Sequence, residues 1–208
     1  ALIVGTNQGI YSEVSPHPKK LMLAATKPSG EQLTKTLSME PNALQLEATT
    51  GTFWSYIAGV AYQIQKKYTV QGLCINNFKT DLPVKKGLSS SAAVSVLTAR
   101  AFNKCYNLGL TINDEMELAY QGEITTPSRC GRMDQGCAYG NQPVLIEFDA
   151  DKLQITPVKV KKDIHLVIVD LHGKKNTRKI LSDLNSAYPF AQTAEHKKLH
   201  TLLGKTNT

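Results

Sequence analysis

Two stretches of this chain combine residue types that could do chemistry together. In the first, residues 83–93 read Pro-Val-Lys-Lys-Gly-Leu-Ser-Ser-Ser-Ala-Ala. Gly87 permits a tight turn, and Ser89, Ser90 and Ser91 then fall where a helix leaves its first amide hydrogens without backbone partners. Unpaired N–H groups, the positive end of a helix dipole and three hydroxyls form a site for an anion, above all a phosphate. Lys85 and Lys86 add positive charge just before the turn. The same residues also read as a serine-rich N-cap beside two solvated lysines. The second stretch, residues 121–140, sets Glu123 near a helix end and Asp134 in a glycine-punctuated turn. Taken singly, these are an exposed helix-end carboxylate and a turn or N-cap aspartate.

Both stretches have a counterpart in one superfamily. Pro-x-x-x-Gly-Leu-Ser-Ser-Ser-Ala-Ala resembles the phosphate-binding signature of the galactokinase, homoserine kinase, mevalonate kinase and phosphomevalonate kinase (GHMP) superfamily. Cys130-Gly131-x-Met133-Asp134-Gln135 is similar to a segment of galactokinases and the related arabinokinases. Arg132 departs from that pattern, because galactokinases usually carry an aliphatic residue there; it either faces solvent or adjusts which sugar fits.

The resemblance implies that Lys86, Gly87, Leu88, Ser89, Ser90, Ser91 and Ala92 hold the phosphates of ATP. It implies Ser91 and Glu123 as protein ligands of Mg2+, Asp134 as catalytic base, and Gly131 with Asp134 in contact with the substrate. These parts suit phosphoryl transfer, which needs positioning, neutralisation of phosphate charge and removal of a hydroxyl proton. Mg2+ takes one or two carboxylates together with phosphate oxygens and water. An aspartate with an ordinary pKa of ~3.9 is a weak base, so the proton moves late, as phosphate bonding develops.

The elements that must position these groups are legible in outline. Residues 1–15 read as a strand pair or one long strand with turns at Gly5 and Gly9, 21–26 as a strand, and 27–30 as a turn. A strand is expected around 33–38 in an otherwise weakly patterned segment, 31–50. Phe53, Trp54, Ile57, Ala61 and Ile64 share one face of a helix over 53–68, with Trp54 packing in the core. A strand over 70–80 then delivers the chain to Pro83. The helix over 92–106 is apolar or small almost all round, so it is expected at the centre of the domain with its N-terminus open to a ligand. A short helix over 113–121 is entered through Thr111 and Asn113 as caps. Strands over 143–148 and 165–171 and a helix over 176–187 complete the order.

The 208 residues carry 41 % apolar and 20 % charged residues, a globular rather than a disordered profile. No apolar run is long enough to span a membrane, and the first residues do not form a signal peptide. The cysteines Cys74, Cys105, Cys130 and Cys137 have no metal-site spacing, which predicts reduced thiols and a cytoplasmic location. His196 and His200 are four apart on an expected helix, and read as a solvated face rather than zinc ligands. A formal charge of +7 raises the question of nucleic acid, but the lysines are scattered and not interleaved with aromatic residues. Anionic small molecules are the better partners.

The expected fold is α+β, of the ribosomal protein S5 domain 2-like kind, which the resemblance implies. Residues 1–163 would form the ATP-binding N-terminal domain and 164–208 the beginning of an α+β C-terminal domain. The superfamily's Arg-x-x-x-x-Gly-Glu-His-like segment and its late glycine-rich motif are not found, and the chain does not begin with Met. It is therefore expected to lack a first strand and most of a second domain. The activity expected of its parent is ATP- and Mg2+-dependent phosphorylation of a sugar hydroxyl, with mevalonate kinase-like chemistry as the alternative. A non-catalytic ATP- and sugar-binding regulator and an RNA-binding module on the same fold are the readings from other classes. Sequence says nothing of oligomeric state.

Overall fold

A computed structural model of the chain describes residues 1–27, 30–82, 87–128, 130–149, 152–163, 165, 167, 169, 177–187 and 190–206. Its elements run β1 (Leu2–Ile3), β2 (Ile10–His17), β3 (Lys20–Thr26), β4 (Gln32–Ser38), α1 (Pro41–Thr49), α2 (Trp54–Gln65), β5 (Gly72–Thr80), α3 (Ser90–Tyr106), α4 (Ile112–Ile124), a 3-10 helix (Asp134–Tyr139), β6 (Val144–Asp149), β7 (Lys152–Pro157), α5 (Thr177–Ala187) and α6 (Ala194–Thr206). The expected α+β architecture is present. The chain divides into two compact units at Gly173/Lys174, and α5 and α6 form the second.

The first unit holds two sheets. One has the order β2-β5-β3-β4 and the other β1-β6-β7. In the larger sheet, β5 lies between β2, to which it is antiparallel, and β3, to which it is parallel. The short link from His17 to Lys20 therefore crosses one end of β5, where a Cβ on Gly72 would collide with the Lys20 backbone, 2.6 Å from its nitrogen. Alternation in β3 buries Leu21 and Leu23 and exposes Met22, as a half-buried strand requires. These leucines, with Leu73 and Ile75 of β5, pack against Leu44 and Ala48 of α1, Ile57, Ala58, Val60, Ala61 and Ile64 of α2, and Val94, Ala99 and Phe102 of α3. Trp54 is part-buried against this core, as expected of it.

Helix α3 also serves a second core. Its Val96 packs with Met116 and Ala119 of α4, Ala138 of the 3-10 helix, and Val144 and Ile146 of β6. A helix apolar nearly all round is thus accounted for: it has a core on each side. Helix α4 begins at the capping box formed by Thr111 and Asp114. Thr111 is the cap; Asn113 lies inside the helix.

Helices α2 and α4 meet backbone to backbone at Gly59 and Gly122. A Cβ on Gly122 would lie 2.6 Å from the Val60 nitrogen and 2.7 Å from its Cα. Main chain cannot yield as a flexible side-chain tip can, so Gly122→Ala is expected to lower unfolding stability by about 3 kcal/mol, at the upper end of ordinary overpacking. Urea denaturation measures it, and a change below about 1 kcal/mol would show that the helices slide apart freely.

Three features depart from expectation: residues 1–15 form neither a strand pair nor one long strand, because β1 and β2 lie in different sheets. Segment 31–50 contains α1 as well as β4, and β7 follows β6 where no strand is expected. The expected strand over 165–171 falls largely outside the described residues, as do positions 28 and 29 of the expected turn. The turn itself closes through the Gly30 N–H, which donates to the Lys27 carbonyl at 2.9 Å. No helix among the described residues is long and apolar enough to cross a membrane.

Candidate active site

The anion-loop residues sit where β5 gives way to α3. Positions 83–86, Lys86 among them, lie outside the described residues. Gly87 has φ +87°, a left-handed conformation that glycine adopts without strain. Ser89 also takes a left-handed conformation, φ 53° and ψ 39°, and its side chain makes no capping hydrogen bond. The simple N-cap reading is therefore not what the structure shows: Ser89 does not spend its hydroxyl on the helix end. A non-glycine residue held there costs about 1–2 kcal/mol, and such residues concentrate where backbone geometry serves a ligand. Ser90 and Ser91 open the helix, half-buried, and Ala92 is fully buried beneath them.

Gly87, Leu88 and Ser89 line a cleft of about 920 Å³, and Asp134 lines the same cleft. Other walls are residues 2–12, Phe78, Leu82 and the face of α3 carrying Ala93, Leu97 and Arg100. Asp134 is half-buried and is the first residue of the 3-10 helix rather than part of an irregular turn. Arg100 helps hold that helix: its Nε donates to Glu115 Oε2 at 2.8 Å and its NH2 to the Ala138 carbonyl at 2.9 Å. On the opposite wall the Gly9 N–H donates to Asp81 Oδ1 at 2.6 Å, and the Asp81 N–H to the Gly9 carbonyl at 3.2 Å. This clasp ties the loop before β2 to the segment that leads into the anion loop.

Glu123 is not an exposed helix-end carboxylate; it is only 1 % exposed. Gln135 Nε2 donates to its Oε2 at 2.8 Å, and Ser91 and Cys130 lie near enough to act on it. Burial raises its carboxyl above the ordinary range, the polar groups of Ser91, Cys130 and Gln135 pull it back, and the charge of Asp134 pushes it up again. Ser91, Glu123 and Asp134 are thereby brought into one electrostatic neighbourhood. Burial pushes the Cys130 and Cys137 thiols up to about 12, with the two carboxylates adding to the effect. These thiols are too weakly acidic to act as nucleophiles near neutral pH.

A carboxylate this deep, with a hydroxyl against it and a second carboxylate nearby, has the chemistry of a hard-cation site lacking most of its ligands. Among the described residues, no group of three or more His, Cys, Asp and Glu side chains could hold a metal ion. Ser91 and Glu123 therefore fit Mg2+ only as partial ligands, the rest coming from phosphate oxygens and water, which is this ion's habit. His196 Nδ1 accepts from the Gln192 N–H and His200 meets the Ala187 carbonyl, so each has a partner within its own helical unit.

Gly131 is exposed and does not line the cleft; it stands three positions before Asp134, which does. Arg132 turns its side chain onto α4, toward Glu117 and Tyr120. The residue that the sequence reading passed over is Gln135, fully buried and bonded to both Glu123 and Cys130 Sγ. Its place beside Asp134 in the same short segment was the available signal.

Comparison with known proteins gives this chain its relatives. Residues 55–141 match the family model described as GHMP kinases N terminal domain. Galactokinase of Haemophilus influenzae is 31 % identical over 141 residues, covering 60 % of this chain and 35 % of that protein. Galactokinase of Thermosipho africanus is 32 % identical over 130 residues, covering 60 % and 36 %. The chain thus spans about a third of the length of these curated relatives. Among solved structures, Lactococcus lactis galactokinase complexed with galactose superposes with a TM-score of 0.58 at 17 % identity, over 77 % of this chain and 42 % of that one. Methanococcus jannaschii mevalonate kinase gives 0.53 at 19 % identity, over 73 % and 45 %. The likeness to the GHMP kinases is thus carried by residues 55–141, which match the N-terminal domain of that family.

Proposed function

We propose that this chain is the nucleotide-binding part of an ATP- and Mg2+-dependent kinase that phosphorylates a hydroxyl of a sugar, in the manner of the galactokinases it resembles. The observation that carries the reading is the shared cleft: the loop Gly87–Ser89 and Asp134 line one cavity, with Ser91 at the helix start close enough to Glu123 to act on its carboxyl.

In this reading the backbone N–H groups of 87–92, the hydroxyls of Ser89 and Ser90, and the Lys86 ammonium hold the triphosphate. Ser91 and Glu123 would hold the Mg2+, which would supply neutralisation of phosphate charge. An Asp134 oxygen would accept the proton of the acceptor hydroxyl and contact the sugar, while Gly131, which does not line the cleft, would bear on the sugar only through the segment it shares with Asp134. Residues 1–163 would then be the ATP-binding domain, and 164–208 the start of the second. A cytoplasmic location belongs to the same reading, supported by four free cysteines.

The test is ADP release by the intact protein in the presence of Mg2+ and ATP, screened over monosaccharides, uronic acids and mevalonate. Turnover with a sugar supports the reading. Turnover with mevalonate alone moves the protein to the neighbouring branch, and binding of nucleotide and sugar without turnover makes it a regulator. RNA affinity with a steep salt dependence would replace the reading altogether.

A further inference from the structure

Arg132 occupies a position where the resemblance expects an aliphatic side chain, and it neither points freely into solvent nor lines the cleft. Its NH2 lies 3.3 Å from Glu117 Oε1, and its guanidinium carbon is 4.8 Å from the centroid of the Tyr120 ring. Glu117 and Tyr120 are three apart on α4, so they lie on one face of that helix. Glu117 Oε1 is itself held by Gln121 Nε2 at 2.7 Å, which fixes the acceptor before Arg132 meets it. The Arg132 side chain is three-quarters buried, far more than a solvated surface arginine. Two residues further on, the chain delivers Asp134. One residue beyond that, Gln135 is fastened to Glu123, on the buried side of the same helix.

From this we infer that Arg132 is a positioning residue: it straps the segment 131–134 to the outer face of α4, and so sets Asp134 at a fixed place relative to Glu123. The inner fastening by Gln135 alone leaves the segment a hinge at its buried end. The outer strap removes that freedom by a planar cation stacked on an aromatic ring and paired with a carboxylate, two contacts that an aliphatic residue cannot make. Its catalytic consequence rests on the proposed kinase reading; the strap itself does not.

Hydrogen exchange by mass spectrometry tests the strap without reference to activity, with Arg132→Leu and Arg132→Lys beside the wild-type chain. Arg132→Leu is expected to exchange peptides over 131–135 about 5- to 30-fold faster, the loss of one ion pair and one cation–π contact, while α3 and the core of α4 keep their protection. Arg132→Lys, which retains the charge over the ring, recovers most of the difference. In the intact enzyme, kcat of Arg132→Leu should fall by a similar factor while KM for ATP stays within about twofold, since the nucleotide loop is untouched. Unchanged exchange over 131–135 overturns the inference, as does acceleration spread evenly over α3 and α4, which marks a general stability residue. A wild-type protein without kinase activity defeats the proposed function instead, and the exchange comparison still decides the strap.

Discussion

Asp134→Asn should lower kcat by about 100- to 10,000-fold, the range that a positioned proton acceptor contributes, with nucleotide affinity unchanged within about twofold. Asparagine keeps the size and shape of the side chain, and Asp134 is only half-buried, so the cleft wall survives the change. What is lost is the charge and basicity of the carboxylate that would take the proton in the proposed reading. In the proposed reading the nucleotide would meet the chain at 87–92, of which Gly87–Ser89 line the cleft, so affinity and turnover should part company. Substantial residual turnover would remove Asp134 from the role of base. Loss of nucleotide affinity in parallel would mean that the aspartate supports the phosphate site instead.

If Glu123 holds Mg2+ as proposed, Glu123→Gln should lower activity by about 100-fold or more, because the ion would lose its protein carboxylate, and yet leave the chain as stable as before or more so above the folded-state value of this carboxyl. The sign follows from burial. The folded-state carboxyl lies above its ordinary value, desolvation being the largest cause. Between the unfolded and folded values the native chain binds a proton that the unfolded chain does not. The contribution of this group to stability is therefore complete below the unfolded value of 4.5 and is lost as pH rises through the folded one. Above the folded value the native chain carries a desolvated charge, and glutamine removes it while still accepting from Gln135. Denaturation midpoints measured across a pH series upward from the unfolded value of 4.5 check this: wild type should weaken more than the variant as pH rises through the folded value. Added Mg2+ and ATP should raise the midpoint of wild type only. A variant that is destabilised at the higher pH would show that the hydrogen bonds to Glu123 outweigh its desolvation.

How much of this could be read from residues alone depends on which force set each feature. Helix α3 was legible because its composition, small and apolar on every side, admits few explanations other than burial between two cores. Strand β3 was legible through its alternation. Helix α1 was not: it buries only Leu44 and Ala48, an i, i+4 pair within a polar segment, and its N-cap Glu40 makes no capping bond. Strand β7 offers Leu153 and Ile155 in alternation, too short a signal without knowledge of the β6 edge it covers. In the site, the motifs located Ser91, Glu123 and Asp134, but their chemistry depends on burial that no local pattern encodes. Glu123 ends an amphipathic helix and would pass as solvent-exposed; tertiary packing of α4 on α2 and α3 is what withdraws it from water. Arg132 was visible as a departure, while its direction onto Tyr120 was a matter of three-dimensional placement.

The insertion of β5 between β2 and β3 bears on how the chain is made. Until residues 72–80 have left the ribosome, the two strands that will flank them exist without their shared neighbour, joined only by the short link at His17–Lys20. Both expose backbone donors and acceptors that another nascent chain could pair with. Closure then needs contacts between residues as distant in sequence as Ile10 and Thr80, an entropically slow step. The loop Gly87–Ser89 follows closely on β5, so its geometry depends on that strand having taken its place, and the chain has most need of chaperones before it does.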